Sequence, residues 1–321
     1  MHWFVWRRLL SFVLTLWVTS VVVFALLELL PGNAAQVILG ETATPESIAA
    51  MEDKLGLNQP AASRYLSWVG GIMQGQTGLS IAYDTPTAQL MAERMQVTLP
   101  LAVMAMGLTV VLALVLGLYT AAQQNKAGDV GVMTLSQLGL AVPNFWLAIL
   151  LILLFAVHLE WVNAGGFPGW SEADGGGVLE GIKALLLPAM ALAAVQTAIL
   201  TRVTRSAVLD NLREDFVRTA RAKGLSHRQV LWHHVLRNAM IPVITVMGLQ
   251  FGNLITSAIV IENVFVLPGI GRLIFQAIAN RDLIVVRDVV MLLAALVMLI
   301  NFFIDMLYAW IDPRLKAGHA K

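Results

Sequence analysis

The chain has 321 residues, of which 58% are hydrophobic and only 13% charged, where soluble domains average about 45–50% apolar and about 25% charged. Its solvent is therefore a lipid bilayer. A formal net charge of +1 gives no ground for a nucleic-acid partner, and the absence of cysteine removes disulfides, thiolate metal sites and cysteine nucleophiles.

The first predicted element is an apolar run over Leu9–Leu30, preceded by Arg7 and Arg8. Small residues follow at Ala34–Ala35, as at a signal-peptide cleavage site, but the run exceeds the roughly 7–15 residues of a signal core and reads as a span. The stretch 31–96 is too polar to cross a membrane. Thr44-Pro45 reads as the cap and first residue of a short helix that stops at Gly56. A second short helix starts after Asn58-Gln59-Pro60 and runs through Tyr65 and Trp68 to Gly70-Gly71. A third, amphipathic helix starts at Asp84-Thr85-Pro86 and ends near Met95. Such helices suit the membrane surface, either as a lid on the bundle or as a contact for an external partner.

A bilayer core about 30 Å thick takes about 20 apolar helical residues. Five further stretches meet that length: 97–121, 132–157, 184–201, 241–261 and 289–311. Backbone groups in lipid must bond within their own segment, so these are helices, and the ten-residue alternation of a transmembrane barrel is missing. The expected fold is all-α, a polytopic bundle of six transmembrane helices. Pro100, Pro143, Pro188 and Pro242 should kink spans or mark their edges, Pro242 beginning the fifth. Gly107, Gly117, Gly139 and Ala189–Ala194 should permit close helix approach. Between the third and fourth spans, 163–181 is a glycine-rich loop whose Glu172 and Asp174 lack the ligand spacing of a calcium loop.

Segment 202–240 carries eight basic and three acidic residues. Asp210 or Asn211 is positioned to cap a first helix, with Glu214 and Asp215 in its first turn and Arg221 and Lys223 in its last, each sign matching the helix dipole. Gly224 supplies a left-handed stop. Ser226 with Gln229 forms a capping box for a second helix through Val230, Leu231, Val235 and Ala239. Phe216, Val217 and Ala220 make an apolar face flanked by Arg218, Arg221 and Lys223. A basic loop resting on anionic lipid accounts for the charge; two capped helices joined by a tight turn fit better a plug for a protein groove.

In the fifth span Gln250, Asn253 and Thr256 lie on roughly one side, and in the sixth Asn301 and Asp305 are one turn apart. Intramembrane polar groups either bond between helices or line a water-filled path; the three in the fifth span are read as lining such a path, and Asn301 and Asp305 are candidates for the same path or for a polar clamp between helices. Glu28 and Glu262 lie near the outer ends of their spans, within reach of headgroups. With the N-terminus placed inside, segments 1–8, 122–131, 202–240 and 312–321 hold fourteen of the 21 basic residues, so both termini are cytoplasmic. The chain thus divides into 1–96, with its span 9–30 and outer segment 31–96, a core 97–311 containing the cytoplasmic loop 202–240, and a tail 312–321.

Arg218-Thr219-Ala220-Arg221-Ala222-Lys223-Gly224-Leu225-Ser226, followed by His234 to Pro242, closely resembles the coupling loop of ABC-importer permeases, above all the dipeptide, oligopeptide and nickel branch. Leu30-Pro31-Gly32, Leu55 to Pro60, Gly75 to Ser80, Val266 to Arg272, Asn280-Arg281-Asp282, Asp305 to Tyr308 and Ile311 to Arg314 agree in the same order. The superfamily's Glu-Ala-Ala stands here as Thr219-Ala220-Arg221, and Gly224 fits its glycine.

The resemblance implies a type I ABC importer permease fold and a non-catalytic subunit of the bacterial cytoplasmic membrane, forming half of a pathway for di- or oligopeptides. Nickel, haem or another small solute is the alternative cargo; a stand-alone carrier or channel is the alternative machine, without the inverted repeats it would need. It also implies that Phe216, Thr219, Ala220, Arg221, Ala222, Lys223, Gly224 and Leu225 contact an ATPase. Its partners would be a second permease, two cytoplasmic ATPases that bind ATP and Mg, a periplasmic or lipid-anchored binding protein, and membrane lipid. No phosphate loop of the Gly-x-x-x-x-Gly-Lys type and no His-Glu-x-x-His occurs, so no cofactor or metal is expected in the chain itself, and His227, His233 and His234 read as surface or ATPase-contact residues.

Overall fold

The computed structural model describes residues 2–29, 35, 39, 43–226 and 229–311. Among these residues the chain is helical, and its one β-type contact is an isolated bridge between Leu79 and Pro86. Helix α1 covers His2–Glu28 and α2 covers Pro45–Leu55. Thr44 caps α2, its hydroxyl accepting the Ser47 amide at 3.3 Å, and Gly56 closes it at φ +67. Helix α3, Ala61–Met73, runs past Gly70-Gly71. Those glycines do not end it because neither adopts positive φ; the stop comes at Gly75, φ +72. Gly71 instead admits the returning backbone, since a Cβ there would lie 2.6 Å from the Gln76 carbonyl oxygen.

Helix α4 spans Thr87–Ala122. The amphipathic helix expected to end near Met95 is therefore the start of the second span: no breaker separates them, and Pro100 lies within the helix. Helices α5, Ala127–Ala141, and α6, Asn144–Leu151, the latter continued by a π-helical stretch Ile152–His158, meet at 104°. Pro143 does more than kink this span. Val142, immediately before it, is forced into extended backbone (φ −92, ψ 123), which breaks the helix.

Helix α7 runs over Val178–Leu212, starting before and ending well after the expected 184–201. Asp210 and Asn211 are consequently not caps; the Asn211 amide donates to the Ala207 carbonyl one turn back inside the helix. The short helix α8, Asp215–Ala222, starts after Glu214, whose side chain makes no capping bond, and Lys223 stands at its C-cap, past the last turn. A π-helical stretch Val230–Val235 leads directly into α9, Leu236–Val264, so the loop's second helix and the fifth span are one rod, with Pro242 inside it and not at its start. Helices α10, Ile270–Ala279, and α11, Leu283–Ile311, complete the described chain. Among the described residues five helices are long and apolar enough to cross a membrane, and the bent α5–α6 pair, taken as one span, makes a sixth.

Two units form. One holds Thr98–Leu267 with the chain from Ile300 on; the other holds His2–Val97 with Pro268–Leu299. In the first, α7 is the central element, burying Leu185, Leu192, Leu200 and Val208 completely. Gly117 allows α4 to touch it: a Cβ there would meet Thr204 at 2.6 Å. Gly107 and Gly139, expected to serve likewise, have open space beside them. Ala189, Ala191 and Ala193 are buried, as their small size predicts. The second unit is built on Leu90, Ile270, Leu273, Ala277, Val285 and Val289.

Candidate coupling surface and polar groups of the bundle

Helix α8 owes its position to its own apolar side. Val217 and Ala220 are 1% and 5% exposed and pack with Leu118, Ala121, Val208, Val230 and Val235. They hold the helix against the rods α4, α7 and α9 and are not offered to a partner. Phe216, by contrast, is 36% exposed. Phe216, Thr219 and Lys223 follow an i, i+3, i+7 spacing, the outward stripe of this helix, with Arg218, Arg221 and Ala222 also exposed. Leu225 is half-buried against the same core. The surface is thus one aromatic ring and one hydroxyl on a cationic rim.

Both ends of the turn follow from local chemistry. Gly224 sits at φ +83, and a Cβ added there would meet nothing within 4 Å, so backbone conformation and not space demands glycine. Ser226 and Gln229 form the expected capping box: the Ser226 amide donates to Gln229 Oε1 at 2.9 Å and the Gln229 amide to Ser226 Oγ at 3.4 Å. Asp215 accepts from Arg218 at 3.3 Å, an exposed pair of little energetic weight.

Beneath this surface lies a contact that sequence reading missed. Arg205 of α7 donates through Nε to Asp129 Oδ1 at 2.7 Å and through Nη2 to Oδ2 at 2.6 Å. Asp129, in the first turn of α5, also accepts the Asn125 amide at 2.9 Å and is buried. A forked, charge-assisted pair of this kind fixes two helix ends in angle as well as distance. Arg205 was legible only as one basic residue among many, and Asp129 as an ordinary acid after a glycine.

The polar residues of the spans separate. Gln250 is buried and donates to the Gln196 carbonyl of α7 at 3.1 Å, while Asn253 and Thr256 are exposed, so the three do not share one environment. Asn301 is exposed and Asp305 half-buried on α11. Glu262 does not reach toward headgroups: it is fully buried and accepts the Thr98 hydroxyl at 2.6 Å. Glu28 pairs with Arg64. Asp282, noted only within its motif, is fully buried; it accepts the Ser80 hydroxyl and the Ile81 and Ala82 amides, and the Val285 amide at the start of α11. Leu30-Pro31-Gly32, His227, Arg228 and the tail from Asp312 lie outside the described residues. Glu172 and Asp174 fall in a single 3₁₀ turn, and no cluster of potential metal ligands occurs among the described residues.

An all-helical bundle of long apolar helices with a cationic helix pinned on its surface has the make-up of a multi-pass membrane protein. The chain belongs to the family of binding-protein-dependent transport system inner membrane components, which it matches over residues 113–317, with that family's N-terminal component matched over residues 1–113. It is similar to the dipeptide transport system permease protein of Alkalihalophilus pseudofirmus, 38% identical over 97% of this chain and 98% of that one. It is equally similar, at 38% identity over 98% of each chain, to the di/tripeptide transport system permease protein of Pseudomonas aeruginosa. The glutathione transport system permease protein of Escherichia coli is 37% identical, again over 98% of each. The fold resembles that of the MetNI methionine ABC transporter in an inward-facing conformation, with a TM-score of 0.58 at 17% identity, over 70% of this chain and 97% of that one. The chain is thus a multi-pass permease subunit with the ABC importer permease fold, as its motifs implied.

Proposed function

We propose that this permease subunit imports di- or oligopeptides across the bacterial cytoplasmic membrane, as half of a pathway completed by a second, homologous permease. The observation that carries the cargo class is near-full-length similarity, at 37–38% identity, to permeases named for dipeptides, di/tripeptides and glutathione, all short peptides. The peptide would arrive on an external binding protein. Two cytoplasmic ATPases would supply the energy, binding ATP and Mg themselves. Both termini and loop 202–240 then face the cytoplasm, in line with the excess of Lys and Arg on that side.

The ATPase contact is the exposed stripe of α8. Closure of the ATPases would press on Phe216, Thr219 and Lys223. The force would pass through Val217 and Ala220 into the rods α7 and α9, which are continuous from this surface into the spans. A continuous helix transmits displacement without a hinge. Asn253, Thr256 and Asn301, exposed on the isolated chain, and the half-buried Asp305 are the pathway candidates; Gln250 is a positioning contact between α7 and α9.

The test is uptake of labelled di- and oligopeptides in a deletion strain. Wild type should restore uptake. Phe216→Ala with Lys223→Glu should not, although the subunit still inserts and co-purifies with its permease partner. Purification of the intact complex without any ATP-binding subunit, or full uptake by that double variant, would refute the reading.

A further inference from the structure

The unit formed by His2–Val97 and Pro268–Leu299 contains two cavities that share Phe24 and Glu28 as wall residues. One, of about 680 Å³, is lined by two arginines, Arg64 and Arg287, two acids, Glu28 and Asp53, and the ring of Trp68. The other, of about 370 Å³, is walled by Val21, Ala25, Leu29, Ala61, Ala62 and Tyr65, with hardly a polar atom beyond Glu28. A charged chamber and a carbon-lined groove thus adjoin at Phe24 and Glu28.

The charges of the chamber are unevenly used. Arg287 lies 4.6 Å over Trp68 and donates through Nε to Asp288 Oδ1 at 3.3 Å. Asp288 is already held by the Trp68 indole at 2.9 Å and the Thr87 hydroxyl at 2.6 Å. Neither terminal nitrogen of Arg287 has a partner among the described residues. Arg64 pairs with Glu28 through one terminal nitrogen, while its Nε is buried without a partner. A guanidinium anchored at Nε, backed by an aromatic face and presenting its fork to a cavity, suits an oxyanion such as phosphate. Asp53 accepts the Asn58 side-chain amide at 2.5 Å, and with Asp288 beside Arg287 the acids at this site are as numerous as its arginines or more so, which makes the complement a zwitterion and not a simple anion.

Position decides which zwitterion. Glu28 ends α1, whose Val5–Glu28 stretch is long and apolar enough to cross the membrane, so the chamber stands where that span leaves the hydrocarbon. The groove runs back along the exposed residues Val21 and Ala25 of the same helix, from Leu29 just past its end. A soluble zwitterion would leave that groove unfilled; a lipid fills both. We propose that this is a binding site for a phosphatidylethanolamine-type phospholipid. Its phosphate sits on Arg287 and Arg64, its ammonium on Glu28 and Asp53, and one acyl chain lies in the groove of α1 and α3.

The experiment is native mass spectrometry of the full chain in detergent, delipidated and then offered phosphatidylethanolamine, phosphatidylglycerol or water-soluble phosphoethanolamine. Wild type should retain phosphatidylethanolamine in preference to phosphatidylglycerol and should not retain free phosphoethanolamine. Arg287→Gln should lower retention about tenfold, the effect of one charge-assisted hydrogen bond. Ala62→Trp, which fills the groove without touching the Asp288 network, should lower it similarly with an unchanged melting curve. Equal retention in wild type and Ala62→Trp, equal retention of the two lipids, or retention of phosphoethanolamine alone would overturn the proposal.

Discussion

At the scale of single residues, the coupling helix separates two jobs that look alike in sequence. Ala220 and Phe216 both belong to its apolar positions, yet Ala220 is packed inside and Phe216 looks out. Ala220→Asp should therefore act on stability: burying a carboxylate among Val208, Val230 and Val235 should cost about 2 kcal/mol or more, read as a lowered melting temperature of the purified chain. Phe216→Ala should leave that temperature within experimental scatter and act on peptide uptake alone. Thr98→Val is the corresponding change deeper in the bundle. It removes the hydroxyl donor from the fully buried Glu262 and should cost about 1–3 kcal/mol. Unchanged thermal stability would show that other donors carry Glu262. Gly224→Val places a β-branched side chain at φ +83, a strain of about 1–3 kcal/mol concentrated in the turn. Gly224→Asn, which tolerates that conformation, should retain more uptake than Gly224→Val.

At the scale of elements, the boundaries moved for identifiable reasons. Hydropathy windows find where a helix is apolar, and a helix does not stop where its side chains become polar. Helices α4, α7 and, with its π-helical lead-in, α9 each continue for several turns beyond the apolar stretch because nothing in their sequence breaks them, whereas α5–α6 breaks within an apolar stretch because Pro143 denies Val142 helical backbone. The ends of α5 and α7 are then tied by Asp129 and Arg205. Asp129→Ala should leave a partly exposed arginine without its forked partner and cost about 1–2 kcal/mol. Charge reversal at both positions, Asp129→Arg with Arg205→Asp, should recover part of that loss in a double-mutant cycle. Additive losses would mean that the pair contributes nothing of its own.

At the scale of the whole molecule, membrane placement followed from composition, and fold class from the length of the apolar runs and the missing alternation of a barrel, because in lipid only helices or closed barrels satisfy the backbone. The caps were legible as well: Thr44-Pro45, Gly56, Gly224 and Ser226 with Gln229 act through bonds to neighbours a few residues away, so their chemistry is local. Family membership rested on ordered motifs, which are also linear features. Pairings over long sequence separation were not legible. Asp282 reaches back to Ser80, Asp288 to Trp68 and Thr87, Glu262 to Thr98, and Arg205 to Asp129. No periodicity marks such partners, since each acid finds its donors only after helices have packed. The same holds for facing. Periodicity placed Gln250, Asn253 and Thr256 within a broad arc of one helix, and Val217 beside Phe216 on another, but which edge of each arc is buried depends on the neighbour that arrives there. Solvent, helices and caps are thus written in the order of residues along the chain, because the forces behind them act on a residue and its near neighbours. Which polar groups are satisfied inside, and which remain on the surface for a partner or a lipid, is settled only when distant helices meet.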